Sequence, residues 1–168
     1  MLRRTTKTTK ELIMKIATRI CLLIAGLTLA APAFAAKDPN LKLIKARQGE
    51  MQLRAYNVGP LFAMAKGEME YDAEMAAKLA NNLKTQLSLD IGGAWKQGTD
   101  IEAYPGKTTS LGKIWTTYPE ISEYGKKYAK AVNELAAEAG NGRDALKSKI
   151  GAVGKSCKGC HDEFREIN

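Results

Sequence analysis

The chain has 168 residues, 45% of them hydrophobic and 26% charged, which fits one globular domain and excludes an intrinsically disordered chain. Its formal net charge of +8 would suit an anionic partner. The charge is uneven, however: residues 1–35 hold six basic residues and one acidic, and the rest is near +3, so strong steering by net charge and a nucleic-acid partner are not expected there.

From Met14 the sequence reads MKIATRICLLIAGLTLAAPAFAA. A short basic start, an apolar run and the small-x-small set Ala33-Phe34-Ala35 mark a secretory signal over residues 1–35, cleaved near Ala35. The apolar run is short for a membrane span and has no basic stop-transfer flank. The true start is either Met14 or an extended basic region from Met1. The expected product is a periplasmic domain of residues 36–168 with no membrane anchor. Cleavage removes Cys21, leaving Cys157 and Cys160 in an oxidising compartment.

Beyond that point apolar residues recur at three and four, which predicts an all-α chain of four helices. The first covers roughly residues 40–66, with an inward stripe at Leu41, Ile44, Gln48, Met51, Ala55, Val58 and Phe62, and Gly59-Pro60 should bend or interrupt it. The second starts after an Asp72 N-cap and shows Met75, Leu79, Leu83 and Leu87 on one face. A long connection rich in Gly, Thr and Ser follows from Gly98 to about Thr116. Thr117 and Glu120 are spaced as a capping box with Pro119 in the first turn. The third helix, to about Ala139, turns Ile121, Tyr124, Tyr128, Val132 and Leu135 inward, and Asn141-Gly142 is the next turn. In the fourth, Leu146, Ile150, Val153, Cys157, Cys160, Phe164 and Ile167 are spaced alternately four and three, a continuous seam that takes both thiols toward the core. Short connections flanking one long connection between helices 2 and 3 predict an antiparallel four-helix bundle.

The seam contains Cys157-Lys158-Gly159-Cys160-His161, which includes the sole histidine of the chain. A disulfide across so small a loop would stabilise little. A thioredoxin-like pair would place its first cysteine at a helix N-terminus after a strand, whereas Cys157 falls about four turns into a helix. Zinc would need a fourth ligand that no second Cys/His pair supplies. C-x-x-C-H is the attachment motif of a c-type haem and uses all three residues. Two thiols about one turn apart suit thioether bonds to two vinyl groups, and the histidine, about 100° further round the helix, suits an axial iron ligand. Export agrees with such an attachment.

With the motif near the C-terminus of an all-helical chain, the sequence resembles the cytochrome c' family, the class II c-type cytochromes. The resemblance is strongest in VGKSCKGCHDEFR and visible again in KARQGEM and MAKGEMEYDAEMA. It implies one covalent haem c on the fourth helix, with Arg47, Gln48 and Met51 of the first helix over its other face. Residues 47, 48 and 51 are three and four apart, so helical geometry groups them independently. Arg47 is then a partner for a haem propionate. Met51 either binds the iron as a sixth ligand, as in low-spin relatives, or covers an open site where nitric oxide or carbon monoxide binds. Arg165 matches the arginine that follows the motif, and the loop from Thr108 to Leu111 is expected at a haem edge. Trp95, Trp115 and Tyr118 read as packing around the haem or core.

The expectation is a periplasmic carrier of one electron between redox partner proteins, with a five-coordinate gas-binding protein as the alternative. The resemblance also allows a homodimer through the first two helices. Without a nucleophile-base pair or paired catalytic carboxylates, an enzyme is not expected. Lys155 and Lys158 beside the haem are candidates for orienting a redox partner.

Overall fold

The computed structural model describes residues 38–167, all within the unit Lys37–Asn168; the signal segment read at residues 1–35 lies outside the described residues. Four long helices form the bundle: α1 Pro39–Lys66, α2 Ala73–Gln86, α4 Glu120–Glu138 and α5 Arg143–Phe164, with the short α3 Lys113–Thr116 inside the long connection. They pack as a ring in which α1 meets α2, α2 meets α4, α4 meets α5 and α5 returns to α1.

Local chemistry sets the helix ends. Asp38 accepts from the Asn40 backbone N–H at 2.9 Å at the start of α1, and Pro39 occupies the first turn, where its missing donor has no helical partner to lose. Gly67, with φ +82°, closes α1 in the left-handed conformation that suits glycine. Asp72 caps α2 by accepting from Met75 N–H at 2.9 Å, as its position predicts.

The core is built from Leu61 and Met64 of α1, Leu79 and Leu83 of α2, Val132 and Leu135 of α4, and Leu146, Ile150 and Val153 of α5. Burying each large aliphatic side chain contributes roughly 1.5–3 kcal/mol. The α1–α5 contact is close because Gly154 has no side chain: a Cβ there would lie 2.8 Å from Cζ of Phe62.

The long connection is fastened to both helix ends beside it. Leu111 N–H donates to the Phe164 carbonyl at 3.0 Å and Glu166 N–H to Thr109 at 2.8 Å, which ties the loop to the end of α5. Tyr104 donates to Asp38 at 2.7 Å and accepts from Asn40 at 2.8 Å, which ties it to the start of α1.

Several expectations need correction. The helix α1 runs through Gly59-Pro60 without interruption. Proline removes one internal hydrogen bond, and buried Leu61, Met64 and Ala65 hold the next turn in place. Of the expected α1 stripe, Ile44 is buried and Val58 and Phe62 pack against the core, but Gln48 and Ala55 are exposed, and Arg47, Glu50, Asn57, Leu61 and Met64 complete the buried face. Met75 is exposed, and the α2 core face comprises Ala76, Leu79, Ala80 and Leu83. The capping box does not form: Thr117 donates its hydroxyl to the Lys113 carbonyl at 2.9 Å, and Pro119 precedes α4 without a side-chain cap. Ile167 and Tyr118 are exposed; Ile167 lies beyond the end of α5, and Tyr118 precedes the first turn of α4.

Candidate haem site

A cavity of about 840 Å³ opens between α1, α4, α5 and the long connection. Cys157, Cys160 and His161 of α5 all line it, together with Met51 of α1. Both thiols are free and half-buried; Cys157 packs against the bundle core, as the seam suggested, and both border the cavity. The remaining wall is largely apolar or aromatic: Ala55 and Val58 of α1, Ile121, Tyr124 and Tyr128 of α4, and Phe164 of α5. Tyr124 and Phe164 meet edge to face with centroids 5.3 Å apart.

Part of the expected stripe of α1 is therefore a cavity face. Gln48, Met51, Ala55 and Val58 all line the cavity, while on the adjacent face Glu50 and Asn57 are buried away from it and Arg47 is buried in its wall. Gln48 is fixed by donating from Nε2 to the Lys107 carbonyl at 2.8 Å. Thr108, Thr109 and Ser110 form a rim, in line with the loop expectation.

Arg47 is only 2% exposed, an unusual position for a cation. Its Nη1 donates to Thr99 Oγ1 at 2.6 Å, and Nη2 donates to the Thr99 carbonyl and to Thr108 Oγ1 at 3.1 Å. The guanidinium lies 5.1 Å from the Trp95 ring centroid and 5.9 Å from that of Trp115. Trp115 in turn donates its indole N–H to the Trp95 carbonyl at 2.7 Å. Among the described residues no carboxylate pairs with Arg47, and its Nε has no hydrogen-bond partner. Burial pushes its pKa down, and the more distant Asp100 opposes this. A buried, uncompensated cation in a cavity wall is suited to an acidic group on whatever fills the cavity.

Burial also pushes the Cys157 and Cys160 thiols up and His161 down, the latter assisted by the Arg165 charge. A neutral imidazole is the form that coordinates a metal. Arg165, immediately after α5, is exposed but lines the cavity, and its segment pairs with Ser110 across the rim.

Sequence reasoning missed a second charged group. Glu50 is 5% exposed and forms an ion pair with Arg54 one turn later. The Arg54 guanidinium sits 4.4 Å from the Tyr128 ring centroid and lines the cavity. The Tyr128 hydroxyl is buried without a partner, and burial raises its pKa to about 12. The available signal was the spacing of Glu50 and Arg54 together with their place on the face that carries Arg47 and Asn57.

The residues fit a haem c: paired free thiols one turn apart, a histidine, a thioether, apolar walls and one unpaired buried cation border the same space. Among the described residues no group of three or more His, Cys, Asp or Glu is placed to hold a metal ion, so a zinc tetrad is not formed there.

Comparisons with known proteins agree. A family model described as Cytochrome C' matches residues 42–165. Cytochrome c' of Cereibacter sphaeroides is 38% identical over 143 residues, covering 85% of this chain and 95% of that protein. The solved structure of cytochrome c' from Rhodobacter Spheriodes is 36% identical with a TM-score of 0.75, covering 78% of this chain and 100% of that one. A nitric oxide complex of a cytochrome c prime mutant from Alcaligenes xylosoxidans is 28% identical with a TM-score of 0.66, covering 77% and 97%. The chain belongs to the cytochrome c' family, four-helix-bundle proteins with one covalently attached haem c.

Proposed function

We propose that this chain is an exported monohaem cytochrome that carries one electron between redox partner proteins in the periplasm. Cys157 and Cys160 hold the haem through thioether bonds, and His161 supplies the axial nitrogen. Met51 supplies the sixth ligand, Arg47 the counter-charge for a propionate, and Gln48 and Arg165 border the group. The observation carrying this reading is that both thiols, His161 and Met51 line one cavity. The bound haem supplies a one-electron iron couple. The chain's own part is to fix the ligand set and surround it with apolar side chains from α1, α4 and α5, which limit water and tune the potential.

Residues 1–35 act as the signal peptide, cleaved near Ala35, and residues 36–168 form the cytochrome domain. Among the described residues no helix is long and apolar enough to cross a membrane. Leu53 and Tyr56 of α1 and Met75 of α2 are exposed and support a homodimer through these helices. Lys158 pairs with Asp162, leaving exposed Lys155 as the freer of the two candidate docking cations.

A second reading keeps the same haem but leaves the iron five-coordinate, with Met51 covering a site for nitric oxide or carbon monoxide. The nitric oxide complex of the Alcaligenes xylosoxidans relative favours considering it. Absorption spectra of oxidised and reduced protein separate the two. The electron-carrier reading expects a low-spin spectrum that becomes high-spin in Met51→Ala; a high-spin spectrum in the unmodified protein overturns it in favour of gas binding.

A further inference from the structure

Arg54 and Glu50 lie four residues apart on α1, with Arg54 Nε donating to Glu50 Oε1. The pair is polarised relative to the cavity: Arg54 lines it and Glu50 does not. The Glu50 side chain is 4% exposed and that of Arg54 28%, so water screens this pair less than the surface pairs elsewhere. The Tyr128 ring at 4.4 Å from the guanidinium limits where Arg54 can go. Arg54 borders the same cavity as Cys157, Cys160 and His161 of the haem-binding motif.

We propose that the Glu50–Arg54 pair is an electrostatic determinant of the reduction potential of the iron held in this cavity, Arg54 raising it and Glu50 lowering it. The inference rests on the haem reading above. Reduction adds one electron to the cavity; a cation in the wall favours that added charge and a buried anion opposes it. Glu50 has a second role, holding the guanidinium against the cavity wall. Its other oxygen, Oε2, is buried without a partner, so the carboxylate is only partly compensated and its field persists.

The test is a spectroelectrochemical titration of the haem-loaded protein at one pH and ionic strength, with Arg54→Leu, Glu50→Gln and Arg54→Lys. Arg54→Leu should lower the potential and Glu50→Gln should raise it, each changing the reduction equilibrium constant by roughly three- to tenfold, tenfold being 59 mV for one electron. Arg54→Lys, which keeps the charge, should stay near the unmodified value. Water entering a loosened cavity would move both neutralising variants the same way, so opposite signs separate a field from a packing defect. Shifts of the same sign, or none in either variant, overturn the proposal. Unmodified protein without attached haem overturns the haem reading itself, and the two failures are thereby distinct.

Discussion

Arg47 and Arg54 lie two turns apart on the same helix, about 10.5 Å along its axis, and both line the cavity, yet they are held in opposite ways. Arg47 is surrounded by neutral groups, the Thr99 and Thr108 hydroxyls, a carbonyl and two indole rings. Arg54 has its own carboxylate and lies over a phenol ring. The first has no carboxylate partner among the described residues, whereas the second has one. One cavity thus has an unpaired cation at one end and an ion pair at the other.

Arg47→Leu should have the largest effect. It strips the hydrogen bonds holding the 99–108 loop and leaves the acceptors Thr99 and Thr108 buried. Urea unfolding of the haem-loaded protein should show a loss of about 3 kcal/mol. At the other end, Glu50→Ala unpairs Arg54, which reaches solvent in part, so the same measurement should show a smaller loss of about 2 kcal/mol. Equal losses would mean that the two arginines are not held differently.

Tyr128 sharpens the Arg54 end. Its raised pKa means that the unfolded chain gives up the phenolic proton first, near 10, and the folded chain only at about 12. That contribution to stability is complete below pH 10 and lost as pH rises through 12, by up to about 2 kcal/mol. Tyr128→Phe should flatten this alkaline loss in urea titrations at pH 9 to 12. At pH 7 the same variant should be neutral or up to about 1 kcal/mol more stable, because it removes a buried hydroxyl without a partner. The smallest loss is expected for Trp95→Leu, about 1 kcal/mol, since Arg47 keeps Trp115 and its hydroxyl partners.

Much of this was legible in the sequence, and the exceptions share a cause. The periodicity of α4 and α5, the Asp72 cap and the Cys157-Lys158-Gly159-Cys160-His161 group depend on residues near one another in the chain. The middle of the α1 stripe was assigned to the core because an apolar stripe ordinarily meets other side chains. Ile44 is buried as expected, but Met51, Ala55 and Val58 border the cavity, and Glu50 and Asn57 are buried on the adjacent face. Glu50 and Arg54 were not singled out because a helical i,i+4 spacing does not reveal what α4 places above it. Thr117 failed as a cap because the short helix Lys113–Thr116, formed within the long connection, supplies a nearer carbonyl for its hydroxyl.

The proposed function requires a covalent haem at Cys157 and Cys160. Its most direct test is the intact mass, under denaturing conditions, of protein exported in cells that possess the haem-attachment machinery, beside Cys157→Ser/Cys160→Ser. The unmodified protein should carry the mass of one haem, retained in denaturant and absent from the double variant; the mass of the bare polypeptide in the unmodified protein would rule out covalent attachment.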